Sequence, residues 1–95
     1  MNLYILVRED LDPSYRMVQG MHAVAGLTSR IGLNEETPFV CLLTKDMNAL
    51  LKWESNISRS EIPAYIWAEP DLNDEVTAIA CHTESKKIFK NLHLA

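Results

Sequence analysis

The run Asn2-Leu3-Tyr4-Ile5-Leu6-Val7 opens the chain as a short and almost continuous apolar segment. A run of this length, ended by charged residues, is typical of a buried strand. Asp12-Pro13 then has the pattern of a helix start, because proline at the first helical position has no amide hydrogen bond to lose. A buried strand that leads into a helix predicts the α/β class.

The rest of the chain continues this alternation of strands and helices. Apolar residues recur at helical spacing through Pro13–Ile31, and Gly32 is the expected stop. Strands that a helix separates are expected to pair in parallel, and the last two strands to form an antiparallel hairpin. The order β-α-β-α-β-β-(α) therefore predicts one α/β domain, residues 1–95, with a small mixed four-stranded sheet. The remaining predicted elements are strands at 38–44, 64–68 and 75–81, a helix at 46–58 capped by Thr44, a turn-rich connection at 69–74 and a short helix at 86–91.

Length and composition narrow the class of protein further. The chain has 95 residues, of which 47% are hydrophobic and 23% charged, and this ordinary globular balance excludes disordered, collagen-like and disulfide-scaffold classes. Its net charge of −4 argues against a protein that wraps long nucleic acids, but is compatible with one localised phosphate site. No Lys or Arg occurs between Ser60 and Ser85, where acidic residues concentrate.

The cysteines and histidines do not have the spacing of metal ligands. Cys41 and Cys81 lie in apolar runs and are expected to be buried free thiols. Neither a metal nor a cofactor is therefore expected. No run approaches the length of a membrane span and the N-terminus lacks the pattern of a signal peptide, so we expect a cytoplasmic protein with no membrane partner.

The polar residues at the start of the first helix are the candidate site. Tyr15, Gln19 and His22 follow one another at spacings of four and three, which places them on one ridge of the helix. Arg8 ends the first strand, and ligands collect at this end of the strands in open α/β sheets. Arg8 and Arg16 beside a helix N-terminus are compatible with a phosphate or anion site. The alternative is ordinary capping, with Arg8 paired to an acid and Gln19 facing water.

The same residues carry a resemblance to a known family. Ile5-Leu6-Val7-Arg8-Glu9-Asp10-Leu11, followed by Gln19-Gly20-Met21-His22-Ala23, resembles the opening of the type II peptidyl-tRNA hydrolases. Thr77 lies at the threonine position of a later strand of that family, and Leu92-His93-Leu94 is similar to its closing segment. The resemblance implies a three-layer α/β/α sandwich with a peptidyl-tRNA hydrolase II-like fold.

The chain departs from that family at the residues that carry its chemistry. The family has a lysine, thought to be catalytic, four residues before the glutamine, and Tyr15 takes that position here. The connecting loop is also two residues shorter. The family's Asp-Ala-Gly-x-Thr segment is missing, and only Glu69 and Asp71 are candidate replacements for its acid. A partial catalytic set therefore remains.

The first hypothesis is a non-catalytic protein that binds a small nucleotide-like anionic ligand. Small phage proteins of hydrolase-like fold act as sponges for cyclic nucleotide immune signals, and the analogy extends to a reduced member of this kind. The residues assigned to the ligand are Arg8 and Arg16 for phosphate, Tyr15 or Trp67 for stacking on a base, and Gln19 and Thr77 for hydrogen bonds.

Two further hypotheses belong to different functional classes. One is an active peptidyl-tRNA hydrolase acting at the tRNA acceptor end, with Gln19, His22 and Asp10 assigned to the reaction. The other is a protein-interaction module. A site built from a helix start and a strand end can be completed across a two-fold axis, so a homo-oligomer is compatible with these hypotheses. The anchors of the interaction module are Trp53, Tyr65 and Trp67.

Overall fold

The computed structural model of the protein describes residues 1–84 and 87–94. Each predicted strand and long helix is present, with bounds within two residues of those expected from the sequence. The elements are β1 (Asn2–Arg8), α1 (Pro13–Ile31), β2 (Phe39–Thr44), α2 (Met47–Arg59), β3 (Ala64–Glu69), β4 (Glu75–Thr83) and β5 (His93–Leu94), with short 3-10 turns at Pro70–Leu72 and Lys87–Phe89.

The strands of the described residues form one sheet in the order β3-β4-β1-β2-β5. The parallel pairing of β1 with β2 and the antiparallel hairpin of β3 with β4 are both confirmed. The expected parallel pairing of β2 with β3 is wrong, because the hairpin docks through β4 onto the free edge of β1. The sheet also gains an edge strand, β5, which pairs antiparallel with β2.

The central strand β1 is covered on both faces because its side chains alternate. Leu3, Ile5 and Val7 pack in a cluster with the buried residues of α1, whereas Tyr4 and Leu6 pack in a second cluster with those of α2. The helices therefore lie on opposite faces of the mixed sheet, and the near-continuous apolar run of the sequence fills both halves of the core.

The helix ends explain where each helix starts and stops. Pro13 occupies the first turn of α1, and Gly32 ends it in the left-handed region at φ 65°, with its amide donating to Thr28 O at 2.9 Å. The expectation that Thr44 caps α2 is wrong. Asp46 is the cap, accepting from the amide of Ala49 at 2.9 Å, whereas the Thr44 hydroxyl is turned inward onto a β1 carbonyl.

The last segment of the chain is less helical than expected. The helix predicted at 86–91 is reduced to the 3-10 turn Lys87–Phe89, and the part of the prediction at Lys86 lies outside the described residues. Phe89 inserts its ring between Tyr4 and Trp53, with ring centroids 4.7 and 5.3 Å away. None of the helices in the described residues has the length and apolarity needed to cross a bilayer.

Candidate functional site

Gln19 is the centre of a buried polar network. It lies on α1 with no exposed surface and reaches side chains of both β3 and β4. Its Oε1 accepts from Thr77 Oγ1 at 2.6 Å and from Trp67 Nε1 at 3.0 Å. Its Nε2 donates to Glu69 Oε1 at 2.9 Å. The sequence-based alternative in which Gln19 faces water is therefore wrong.

Glu69 gives this network a negative charge. The residue is only 7% exposed. Its second oxygen, Oε2, accepts from the backbone amide of Asp71 at 3.2 Å, in the turn that follows β3. The Gln19 amide and the Asp71 amide hold the pKa of this carboxyl below its usual range, with a smaller contribution from His22. Because a carboxylate has about four acceptor positions, ionised Glu69 can still accept hydrogen bonds from a ligand.

Aromatic rings lie beside this carboxylate. The exposed ring of His22 stacks on the half-buried ring of Trp67, with centroids 4.4 Å apart and planes inclined by 17°. Partial burial, followed by the charges of Glu69 and Asp71, raises the pKa of Tyr15, so its phenol keeps its proton at neutral pH. We call this cluster the Glu69 site; its members are Tyr15, Gln19, His22, Trp67, Glu69, Asp71 and Thr77.

Arg8 lies at the same end of the sheet but is occupied by acids. Its Nε and one terminal nitrogen bind both carboxylate oxygens of Asp10, at 3.0 and 2.8 Å. The other terminal nitrogen donates to Glu75 Oε1 at 2.7 Å and to Val76 O at 3.2 Å. Arg8 holds the pKa of Asp10 below its usual range. The alternative in which Arg8 pairs with an acid therefore describes the geometry, and a phosphate would have to displace Asp10 or Glu75 to reach it.

Arg16 lies away from the Glu69 site. Its Nε donates to Leu11 O at 3.2 Å, and its side chain lines a groove between α1 and β2. The structure thus brings together five of the predicted residues and separates the other three from them. The five are Tyr15, Gln19, His22, Trp67 and Thr77; the three are Arg8, Asp10 and Arg16.

Glu69 is the residue that sequence reasoning valued least. From the sequence, Glu69 is a candidate replacement for a family acid, together with Asp71, and an alternative to Asp10 for orienting a water molecule. The signal that could have identified Glu69 is its position at the end of β3. The hairpin of β3 with β4, the strand that contains Thr77, places Glu69 next to Gln19 on α1. Within residues 1–84 and 87–94, no group of three or more His, Cys, Asp or Glu side chains is arranged to hold a metal ion.

The remaining candidates from the sequence lie in the core or at its margin. Cys81 is a buried free thiol, as expected, and burial raises its pKa to about 12. Cys41 is a free thiol that is only half-buried. The proposed interaction anchors Trp53 and Tyr65 are also half-buried; Trp53 packs on Phe89.

Comparison with known proteins bears on the fold. No protein-family model matches the chain, and no curated protein matches it. A solved structure of a protein of unknown function, Atu0240 from Agrobacterium tumefaciens strain C58, matches with a TM-score of 0.79 at 18% sequence identity. The match covers 99% of this chain and 96% of that chain, so the two proteins share their fold over nearly their whole length.

Proposed function

We propose that the chain is a non-catalytic nucleotide-binding protein of peptidyl-tRNA hydrolase II-like fold, which recognises its ligand mainly through the base. The observation that carries the proposal is the ionised, nearly buried Glu69 carboxylate beside the stacked rings of Trp67 and His22. A flat aromatic surface next to a fixed acceptor matches the two chemical features of a nucleobase, which are a π face and an edge of N–H donors.

The aromatic surface supports stacking and the carboxylate supports selection among bases. Stacking of a base on an aromatic side chain contributes about 1–3 kcal/mol. Carboxylates accept hydrogen bonds from exocyclic amino groups of bases. We therefore expect guanine, adenine and cytosine, which carry such groups, to bind better than uracil.

The charges around the site predict little contribution from phosphate. Asp71 lies next to Glu69, and the nearby cation Arg8 already pairs with Asp10 and Glu75. A phosphate placed here would have to compete with Asp10 and Glu75 for Arg8, so a nucleoside and its monophosphate are expected to bind with similar affinity. Weak dependence on salt follows, because few counterions are released.

The hydrogen bonding of the site supports binding without turnover. Gln19 and Thr77 have no exposed surface and use their polar groups on each other, on Trp67 and on Glu69. Tyr15, with its raised pKa, stands where the resembled family has lysine. General acid–base catalysis needs a group that reaches the reacting atom and has a pKa near the working pH. The lowered pKa of the Glu69 carboxyl and the raised pKa of the Tyr15 phenol both lie away from that pH.

A second candidate, peptidyl-tRNA hydrolase activity, is favoured by one observation. Gln19 and Thr77, at the positions that the family resemblance implies, share one network with an acid, Glu69. In that case Glu69 orients a water molecule for attack on the ester, and the exposed imidazole of His22, whose charge acts on the Glu69 carboxyl, assists.

The two candidates are separated by ligand binding and by turnover. We expect the thermal midpoint to rise with guanosine, adenosine or cytidine, by an amount that corresponds to about 2.7 kcal/mol at 100 times the dissociation constant. Each 5′-monophosphate is expected to act like its nucleoside, and a cyclic dinucleotide probes the sponge hypothesis. Glu69→Gln should weaken binding, whereas Glu36→Gln, an exposed loop variant, should not.

Two results would overturn the proposal. The first is the absence of any midpoint shift with every nucleoside and nucleotide in this panel. The second is release of peptide from peptidyl-tRNA with repeated turnover that Glu69→Gln abolishes and Glu36→Gln retains, because that outcome establishes the hydrolase instead.

A further inference from the structure

A groove runs along the side of α1 opposite the Glu69 site. The helix packs over β4, β3 and β1 and leaves the same face of β2 open. The resulting cavity has a volume of about 660 Å³, within the range of about 300–1,000 Å³ typical of small-molecule sites. Its walls come from α1, and its floor from β1 and β2; the lining residues that the argument uses are Arg16, Met17, Met21, Val24, Phe39 and Cys41.

The groove is lined almost entirely by apolar groups, and several of them face solvent. Met17 is 61% exposed, Met21 62% and Phe39 57%. Single exposed apolar side chains are ordinary on a protein surface, but a contiguous patch of them marks a binding surface. Methionine side chains also adapt their shape to an apolar ligand.

Arg16 is the one charged residue among the described residues that line this groove. Its Nε is held by Leu11 O at 3.2 Å. Its terminal nitrogens have no protein acceptor within the described part of the chain, residues 1–84 and 87–94. Arg16 and Cys41 line the same groove. Burial raises the pKa of the Cys41 thiol, and the charge of Arg16 partly opposes that rise.

We propose that this groove binds a free fatty acid of medium chain length, with its carboxylate on Arg16 and its alkyl chain along Met17, Met21 and Phe39. An apolar channel with one unpaired guanidinium at its end is complementary to a molecule with one apolar chain and one anionic head. From Arg16 to Val24 the helix rises by about 12 Å, which is close to the length of an extended decanoate.

This site is independent of the nucleotide site. Tyr15, Gln19 and His22 lie on one flank of α1, and Met17 and Val24 lie on the opposite flank of the same helix turns. The lining of the groove includes no member of the Glu69 site. A test of fatty-acid binding therefore does not test the proposed function, and a test of the proposed function does not test fatty-acid binding.

Methionine methyl groups provide the probe. In protein carrying carbon-13 in its methionine methyls, decanoate should shift the NMR signals of Met17 and Met21. Met1 and Met47 lie outside the groove lining and serve as internal controls. Decanoate should bind about tenfold more tightly than decanol, because a charge-assisted hydrogen bond of this kind contributes at least a factor of ten.

Substitutions distinguish the contribution of the decanoate carboxylate from that of its alkyl chain. Arg16→Met should lower decanoate affinity to that of decanol and leave decanol binding unchanged. Arg59→Met, at an exposed arginine on α2, is the matched control and should change neither. Should Arg16→Met fail to fold, Ala25→Glu, which adds a carboxylate at an exposed position of the groove wall, should weaken decanoate more than decanol.

Three outcomes contradict the proposal. The first is equal affinity for decanoate and decanol in the unmodified chain. The second is a concentration-dependent shift of Met17 and Met21 without ligand, which would assign the groove to a second copy of the chain. The third is a response to vesicles of anionic lipid and none to decanoate, which would assign it to a membrane surface.

Discussion

The two flanks of α1 differ in how completely their side chains are buried and bonded within the fold. On the β3 flank, Gln19 satisfies three partners at once, and none of its polar groups reaches solvent. On the β2 flank, Met17 and Met21 extend over an open groove with more than half of each side chain exposed. One helix therefore carries a closed polar network on one side and an unfilled apolar surface on the other.

This difference predicts how much the side chains of each flank contribute to the stability of the fold. Buried polar groups contribute to stability only while every member is satisfied, so a network of this kind tolerates little change. An open apolar groove contributes little to folding, because its side chains are exposed in the folded and in the unfolded state. We therefore expect substitutions on the two flanks to differ sharply in their effect on stability.

The largest expected change in the free energy of unfolding comes from replacing the Gln19 amide by a thioether, compared with replacing the Met21 thioether by an amide. Gln19→Met keeps the length of the side chain but leaves Thr77, Trp67 and Glu69 without their shared partner. We expect it to lower the free energy of unfolding by about 3–4 kcal/mol, since each unsatisfied buried group costs about 1–3 kcal/mol. The reverse exchange, Met21→Gln, should change it by less than about 0.5 kcal/mol, as is usual at exposed positions.

Urea denaturation of both variants measures this contrast. Equal destabilisation by the two substitutions would contradict the division of α1 into a structural flank and an open flank. Thr77→Val serves as the control for the network, because it removes one hydrogen bond to Gln19 and should produce an intermediate loss of about 1–2 kcal/mol.

Local sequence patterns were sufficient to predict the strands and helices, but not which strands lie next to each other in the sheet. The apolar run of β1, the proline of α1 and Gly32 each act within a few residues, and the predicted bounds were accurate there. The pairing of β4 with β1 is a contact between distant segments, and spacing along the chain contains no signal for it. The parallel pairing expected for β2 and β3 failed for that reason.

The same distinction holds for the candidate site. The ridge of Tyr15, Gln19 and His22 could be predicted because helical periodicity fixes it. The pairing of Arg8 with Glu75 could not be predicted, because Glu75 comes next to it only through the β1–β4 pairing. Arg16 is one residue from Tyr15 in sequence, yet a rotation of about 100° per residue turns it towards the other flank.

The glycines of α1 provide a second, smaller test of the same contrast. A Cβ at Gly26, on the β3 flank, would overlap the ring of Tyr65, which also stacks under Arg30 at 4.8 Å. A Cβ at Gly20, beside the groove, would lie 3.2 Å from Ile5 Cγ2 and 3.3 Å from Val7 Cγ1, a tight contact without overlap. Gly26→Ala should destabilise by about 1–3 kcal/mol, and Gly20→Ala by less than about 1 kcal/mol because the gain in helix propensity offsets the contact.

Thermal unfolding compares the two alanine variants. Combining Gly26→Ala with Tyr65→Ser should cost less than the sum of the two single changes if the ring is the obstacle, because the two changes are then coupled. Additive losses would mean that the backbone of β3, rather than the Tyr65 side chain, limits the approach of α1.

The smallest expected effect is a change in acid sensitivity. The pKa of Glu69 is lowered in the folded chain from an ordinary value of 4.5, first by the Gln19 amide and then by the Asp71 amide. A lowered pKa stabilises the fold fully above pH 4.5, and this contribution disappears as the pH falls towards the folded-state value, because the unfolded chain takes up its proton first. Asp10, lowered from 3.8 by Arg8, acts in the same direction at slightly lower pH.

Free energies of unfolding measured by urea titration should therefore decrease as the pH is lowered from 7 to 3. Glu69→Gln should make this decrease smaller in the upper part of the pH range. Asp10→Asn should flatten only the lower part. Since the described residues that line the groove include no glutamate or aspartate, Met21→Gln should leave the shape of the profile unchanged. A profile that Glu69→Gln does not alter would show that the charge of Glu69 is not held by the Gln19 network. The carboxylate would then be free to turn towards solvent, and the closed character of the β3 flank would rest on Gln19, Trp67 and Thr77 alone.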